Sequence, residues 1–226
     1  ALALGLLAVF AGCQNDVVKP LENDKEAPAP VRDVTYTKMS GSVLLTYTLP
    51  SDPDLLYVAA SYTNKAGKKY EFKASYFTNT LLVEGFGDTD TYSLDVYAVD
   101  RSENYSEPVN IQVAADTPPV QAAYETLEVQ PDFGGMTFSF DNASKADLTV
   151  YVSTPNADNE MVNAETFYTG LAKATFSVRG FLDVPRDFEI CFEDKWGNRS
   201  PVKKENLTPI YEAELDKKKF KDCLLY

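Results

Sequence analysis

Residues Gly41–Tyr47 read GSVLLTY, and the hydrophobic side chains Val43, Leu45 and Tyr47 occupy every second position of this segment. A period of two residues is the period of a β-strand, whose successive side chains point to opposite faces of a sheet. The segment therefore predicts a strand with one face turned toward a hydrophobic core.

The same pattern returns 93 residues further along the chain, where Gly134–Phe140 reads GGMTFSF. Two more blocks repeat in the same order: Asp54-Leu55 corresponds to Asp147-Leu148, and DRSENYS (Asp100–Ser106) corresponds to DKWGNRS (Asp194–Ser200). Order and pattern persist through three separated blocks, so the chain contains two related units of about 90 residues each.

Each unit is predicted to consist of short strands separated by turns rich in Gly, Pro, Asn and Asp. Alternation predicts that the following side chains point inward: Met136, Phe138 and Phe140 early in the second unit, Leu94, Val96 and Ala98 late in the first, and Phe188, Ile190 and Phe192 late in the second. Cys191 then faces outward. Neither unit shows a helical period of useful length, and about seven strands per unit predict an immunoglobulin-like β-sandwich.

The predicted fold class is therefore all-β, with two tandem immunoglobulin-like sandwiches spanning residues 28–115 and 116–209. No unit contains the Cys…Trp…Cys spacing of antibody domains, and the segments APAPVRDVTYT, VLLTYTLPSDPDLL and YSLDVYAVDRSENYSEPV resemble fibronectin type III domains. The joint AADTPPVQAA carries two prolines, which we expect to limit bending between the units.

Composition excludes several functions. The formal charge of −13 disfavours nucleic acid as a partner, because phosphate binding needs clustered Lys and Arg. The chain has no histidine, so Ser–His–Asp and Cys–His catalysis cannot be built from these residues. The cysteines are Cys13, Cys191 and Cys223, and a Cys191–Cys223 disulfide stays open as an alternative. We expect no cofactor and no bound metal.

The first residues are apolar or small as far as Gly12, and the run LLAVFAGCQND turns polar directly after Cys13. Residues 1–12 are too short to span a bilayer as a helix and suit the hydrophobic region of a signal peptide. Phe10-Ala11-Gly12 before Cys13 resembles a bacterial lipobox, which implies lipidation of Cys13. Residues 13–27 are polar, acidic and proline-bearing, which predicts an extended tether.

Asn15-Asp16 after Cys13 resembles the acidic export signal of Bacteroidota surface lipoproteins. The whole order of segments resembles lipoproteins of Bacteroidota polysaccharide-utilisation loci, in which tandem sandwiches precede a discoidin-like, carbohydrate-binding domain. Residues 210–226, with Cys223, are interpreted as the start of that further domain. The resemblance implies a lipid anchor in the outer membrane, exposure at the cell surface, a glycan ligand bound mainly by the further domain, and outer-membrane partners in glycan uptake.

Two features are candidate sites within the sandwiches. The repeated D-x-x-x-N-x-S (Asp100–Ser106 and Asp194–Ser200) offers oxygen ligands for calcium, but a turn whose Asp and Asn side chains bind local backbone is favoured. Trp196, the only tryptophan, lies in the second turn, where its ring could stack on a sugar or fold over the end of its own sandwich. Strand periodicity accounts for a second aromatic stretch, Tyr70, Phe72, Tyr76 and Phe77.

The sequence thus favours a non-enzymatic surface lipoprotein whose sandwiches act as spacers that present a glycan-binding domain. Two alternatives stay open at this point. The sandwiches could be accessory modules of a surface carbohydrate-active enzyme with its catalytic domain elsewhere. They could instead form an adhesion protein that grips another protein through sandwich loops or strand edges.

Overall fold

The computed structural model describes residues 24–213, and nearly all of its regular structure is β. The first unit contains the strands β1 (Arg32–Met39), β2 (Ser42–Thr48), β3 (Leu55–Thr63), β4 (Lys69–Ser75), β5 (Thr80–Glu84), β6 (Tyr92–Asp100) and β7 (Val109–Val113). The second contains α1 (Pro119–Glu125), β8 (Glu128–Asp132), β9 (Gly135–Asp141), β10 (Leu148–Pro155), β11 (Met161–Thr169), β12 (Lys173–Arg179), β13 (Arg186–Asp194) and β14 (Lys203–Leu207).

The two units share one topology. In the first, a three-stranded sheet of order β1-β2-β5 faces a four-stranded sheet of order β4-β3-β6-β7. In the second, the orders are β8-β9-β12 and β11-β10-β13-β14, which is the same arrangement seven strands later. The repeated segments at Gly41 and Gly134 form the central strands β2 and β9 of the three-stranded sheets. The predicted all-β fold of two tandem immunoglobulin-like sandwiches is confirmed.

Each sandwich encloses its own hydrophobic core. The alternating side chains are buried as predicted on β2, β6, β9 and β13, with Val43, Leu94, Met136 and Phe188 all fully enclosed. Cys191 lies on the outward face of β13, is half-buried and forms no disulfide within the described residues. The period-two pattern therefore identified both the strands and their inward faces.

A short helix lies in the joint, although the sequence shows no helical period of useful length in either unit. The helix α1 occupies seven residues of the joint, with Pro119 in its first turn, where a missing N–H costs no hydrogen bond. Val120 and Ala123 are three positions apart and bury one face of the helix in the second core. Two apolar residues over less than two turns are too few to show a helical period in sequence.

The chain leaves each sandwich beside that sandwich's first hairpin. Asp116 forms a parallel bridge with Ser40, in which the Gly41 N–H donates to the Asp116 carbonyl at 3.1 Å and the Asp116 N–H donates to the Met39 carbonyl at 3.0 Å. Ile210 forms the equivalent bridge with Phe133 in the second sandwich. In each unit, the same pair of backbone hydrogen bonds therefore joins the segment after the last strand to the turn of the first β-hairpin.

Several predicted features lie outside the described residues. These are the signal segment 1–12, the lipidation site Cys13, most of the tether 13–27, Cys223 and all but the first four residues of 210–226. Within residues 24–213, the structure contains no helix that is long and apolar enough to cross a membrane.

Candidate functional site

The two copies of D-x-x-x-N-x-S form the same turn, which precedes β7 in the first sandwich and β14 in the second. In the second copy, Asp194 Oδ1 accepts the backbone N–H groups of Trp196 and Asn198, both at 2.9 Å. Asp194 Oδ2 accepts the side-chain amide of Asn198 at 2.9 Å. Ser200 Oγ accepts the N–H of Phe192 at 3.0 Å. Local backbone groups therefore use the oxygens that a calcium site would need, as the turn interpretation predicted.

The first copy repeats these contacts. Asp100 Oδ1 accepts the N–H groups of Ser102 and Asn104 at 2.8 and 2.9 Å, and Asp100 Oδ2 accepts the Asn104 amide at 2.9 Å. Asp100 is only 1% exposed, so these three bonds replace water around a buried carboxylate. The turn is a structural unit whose Asp organises the backbone.

The second turn carries Trp196 across the joint into the first sandwich. The Trp196 ring centroid lies 5.5 Å from that of Tyr70 and 5.6 Å from that of Phe72, both at steep interplanar angles. Tyr70 and Phe72 belong to the inward face of β4, and the indole packs against the core of the first sandwich. The ring therefore neither folds over its own sandwich nor stands free at its tip.

Gly85 makes room for this ring. Its φ angle of +89° lies in the left-handed region, and a Cβ at this position would stand 3.1 Å from Trp196 Cδ2 and 3.0 Å from the Tyr62 hydroxyl oxygen. The Tyr62 hydroxyl donates to the Glu84 carbonyl at 2.8 Å, which fixes the chain on the approach to Gly85. Burial raises the pKa of Tyr62 above its ordinary value, so this hydroxyl keeps its proton as a donor.

Polar contacts surround the Trp196 ring. Asn198 Nδ2 donates to the Gly85 carbonyl at 3.3 Å, the Tyr70 hydroxyl donates to the Trp196 carbonyl at 3.4 Å, and Lys195 Nζ lies 3.2 Å from Glu84 Oε2. We call these contacts, together with the packing of Trp196 on Tyr70 and Phe72, the joint latch. The latch joins the β13–β14 turn of one sandwich to β4, β5 and the residue after β5 of the other.

The sequence identified Trp196 and the aromatic stretch separately but did not join them. Tyr70 and Phe72 contact Trp196, whereas Tyr76 and Phe77 pair with each other at a centroid distance of 4.1 Å. No local pattern could show the pairing, because it depends on how the two sandwiches are oriented. Stacking of Trp196 on a sugar stays a prediction.

A cleft of about 550 Å³ lies beside the latch and is walled by both sandwiches. Met39 and Leu82 line it from the first sandwich, and Asp147, Lys195 and Trp196 line it from the second. A shallower depression of about 390 Å³ shares the walls Asp147 and Lys195 and extends to Tyr168. We call the two together the joint groove.

Another polar cluster surrounds the Asp100–Ser106 turn, at the end of the first sandwich away from the joint latch. The Asn104 amide donates to Asp24 Oδ1 at 3.1 Å and to the Glu26 carbonyl at 3.3 Å. The first turn therefore binds the segment that leads into β1. Carboxylate oxygens of Asp24, Asp54 and Asp100 lie within 4.8 Å of one another and could hold a cation. A hydrogen bond with Asp52, followed by burial, raises the pKa of Asp54, and the amide bonds above already occupy both oxygens of Asp100.

Two family models match this chain. Residues 28–115 match a family described as "Domain of unknown function (DUF4959)", and residues 116–218 match one described as "Domain of unknown function (DUF5126)". Each match covers one sandwich. No curated protein matches the sequence.

Solved structures with similarity include the SusE-like protein BT2857, at 34% identity and a TM-score of 0.38 over 44% of this chain. This chain spans only 34% of that protein's length. A two-domain fibronectin type III segment of chicken tenascin is 15% identical with a TM-score of 0.37, over 79% of this chain and 99% of the tenascin segment. TM-scores below 0.5 are too low to carry function from these proteins to this chain.

Proposed function

We propose that the two sandwiches form a stiff, non-enzymatic spacer in a lipid-anchored protein at the bacterial cell surface that captures polysaccharide. In this proposal Cys13 carries the lipid in the outer membrane and residues 13–27 form the extended tether. The sandwiches then hold a further glycan-binding domain away from the membrane, where it cooperates with glycan-uptake proteins.

The observation that carries the spacer proposal is the joint latch. A linker alone leaves two domains free to swing, whereas a second attachment some distance from the linker fixes both bend and twist. The joint has both elements: the prolines Pro118 and Pro119 in the covalent connection, and Trp196 inserted between Tyr70, Phe72 and Gly85.

The latch also resembles the core of a stable interface in its chemistry. Tryptophan and tyrosine dominate such contacts because they bury a large area and have few rotatable bonds. Each edge-on aromatic pair adds about 0.5–1.5 kcal/mol beyond its area. Two such pairs, with the hydrogen bonds and the Lys195–Glu84 ion pair around them, favour one orientation of the sandwiches.

Small-angle X-ray scattering of the 226-residue chain tests the proposal through Trp196→Ala. We expect the wild type to scatter as a single elongated particle and the variant to give a broader distribution of maximum dimensions, because the ring that fixes the joint is gone. Far-UV circular dichroism should stay unchanged, since the substitution lies in a turn outside both sheets.

Phe77→Ala is the matched control for this measurement. It removes another aromatic ring from the first sandwich, at a position between β4 and β5 that is 83% exposed and whose ring pairs with Tyr76 rather than with Trp196. A wild-type chain that already scatters as a flexible pair, or a Trp196→Ala profile identical to that of Phe77→Ala, would contradict the spacer proposal.

A further inference from the structure

We propose that the joint groove is itself a binding site for a neutral oligosaccharide. This inference rests on the proposed function, since it supposes that the spacer works close to polysaccharide. It goes further by giving the sandwiches a direct contact with the glycan, through Tyr168, Asp147, Lys145 and Trp196.

Several polar groups of the side chains that line the groove have no partner among the described residues. The indole N–H of Trp196, the hydroxyl of Tyr168, the ammonium of Lys145 and the carboxylate of Asp147 form no hydrogen bond or ion pair with any described residue. The described part of the chain contains no buried side-chain polar atom without a partner, so the indole N–H is open to solvent. Each of these groups belongs to a side chain that lines the groove, so together they can offer donors and an acceptor to a molecule bound there.

The loop that carries two of these groups is held in place. Buried Asn142 donates its amide to the Ala146 carbonyl at 2.9 Å, and its oxygen accepts the Ala146 N–H at 3.2 Å. The Lys145 N–H donates to the Asn142 carbonyl at 2.9 Å. Lys145 and Asp147 therefore lie on a preformed loop, which lowers the entropy cost of binding.

The groove combines aromatic, aliphatic and polar surface. The Tyr168 ring is 77% exposed at the groove margin, and Met39 and Leu82 form an apolar wall. A pyranose has the matching character, because its C–H groups form an apolar face and its hydroxyl groups surround that face. An aromatic ring with few rotatable bonds binds such a face at low entropy cost.

The charges around the groove disfavour an anionic ligand. Glu84, Asp147 and Asp194 offset Lys145 and Lys195 around the groove, and the chain as a whole carries −13. An acidic surface repels uronic acid and sulfate groups. The groove therefore favours a neutral glycan over an anionic one.

The sole tryptophan gives a direct measurement in the intact 226-residue chain. Titration with a soluble β-glucan, a soluble α-glucan and a soluble mannan should change Trp196 emission for at least one of them. The same polysaccharide should retard the protein in a native affinity gel. Tyr168→Ala should weaken binding about five- to tenfold, as expected for loss of one stacking ring, and Asp147→Asn should weaken it less.

Phe77→Ala is again the control, because it removes an exposed aromatic ring away from the groove and should leave binding unchanged. Three results would overturn the inference: no retardation by any of the three neutral polysaccharides, retardation only by polygalacturonate, or equal loss in Phe77→Ala and Tyr168→Ala. These outcomes are separable from the spacer proposal, because Tyr168 and Asp147 lie outside the latch and scattering measures the joint without ligand.

Discussion

Gly85 shows how one residue without a side chain sets the contact between two domains. Its positive φ and its approach to the Trp196 ring are two separate reasons for glycine at this position. Gly67 has a similar φ of +80° in the β3–β4 turn, but a Cβ there would meet no atom within 4 Å. An alanine at Gly67 would therefore suffer backbone strain alone, whereas an alanine at Gly85 would suffer both strain and a clash with the indole.

We expect Gly67→Ala to lower the free energy of unfolding by about 1 kcal/mol, from backbone strain alone. Gly85→Ala should cost about 2–3 kcal/mol, because its methyl group also displaces the indole. Urea denaturation measures both costs, and Trp196 emission should shift to longer wavelength only in Gly85→Ala. Equal costs and identical emission would show that the indole does not depend on Gly85.

Asp88 accounts for part of the expected dependence of stability on pH. Burial alone would raise its pKa, but Lys65 at 2.6 Å, the Asp90 N–H at 2.9 Å and the Tyr92 hydroxyl at 3.0 Å together hold the pKa below its ordinary value. The folded state therefore binds this proton less readily than the unfolded chain does.

A depressed pKa stabilises the fold above the ordinary carboxyl pKa and loses that contribution as pH falls through the folded value. We expect the free energy of unfolding to decrease as the pH is lowered below about 4, and we expect this decrease to be less steep in Asp88→Asn. Urea titrations at several acidic pH values test this, with Asp158→Asn as the control for loss of one exposed carboxylate. If the free energy of unfolding of Asp88→Asn decreased with pH as steeply as that of the wild type, Asp88 would not be a source of the pH dependence.

At the scale of elements, strands and turns were predictable because their signals are local. Alternation along strands of seven or nine residues predicted the inward faces of β2, β6, β9 and β13, and the repeated Asp, Asn and Ser marked the same turn twice. The helix α1 was missed because its two apolar anchors, Val120 and Ala123, span less than two turns. Tertiary burial, which is absent from local sequence, stabilises so short a helix.

The turn before β7 depends on the acceptor oxygens of Asp100. Asp100→Ala leaves the N–H groups of Ser102 and Asn104 without their acceptor, so we expect a loss of about 2 kcal/mol in the free energy of unfolding. Asp100→Asn keeps an oxygen at the same place and should restore most of this loss. Urea denaturation followed by far-UV circular dichroism measures both variants.

Glu107→Ala, an exposed change next to the same turn, should have little effect. If Asp100→Asn were as costly as Asp100→Ala, the negative charge of Asp100 would matter more than its acceptor geometry.

At the scale of the whole molecule, the number and type of domains followed from the 93-residue repeat, whereas the joint did not. Trp196 and Tyr70 are 126 positions apart, and their contact depends on how the linker orients two finished sandwiches. A pattern of two or three residues carries no information about that orientation. Sequence therefore located the aromatic residues of the joint latch without indicating that they meet.

The proposed lipid anchor at Cys13 can be tested by lipid incorporation. Expressed with its complete signal peptide in a bacterium that processes lipoproteins, the protein should incorporate labelled palmitate, and Cys13→Ala should abolish the label. Cys191→Ala is the matched control, since Cys191 is half-buried in the second sandwich and should not change labelling. Labelling that survives in Cys13→Ala would remove the proposed anchor.

The parallel bridge at the exit of each sandwich has a mechanical consequence. A pull directed along the chain would load the two hydrogen bonds between Asp116 and the hairpin residues Met39 and Gly41 side by side, in shear, so that they must break together. The Ile210 bridge repeats this arrangement in the second sandwich. In the proposed spacer, a pulling force would therefore act on two such shear-loaded bridges in series, one at the exit of each sandwich.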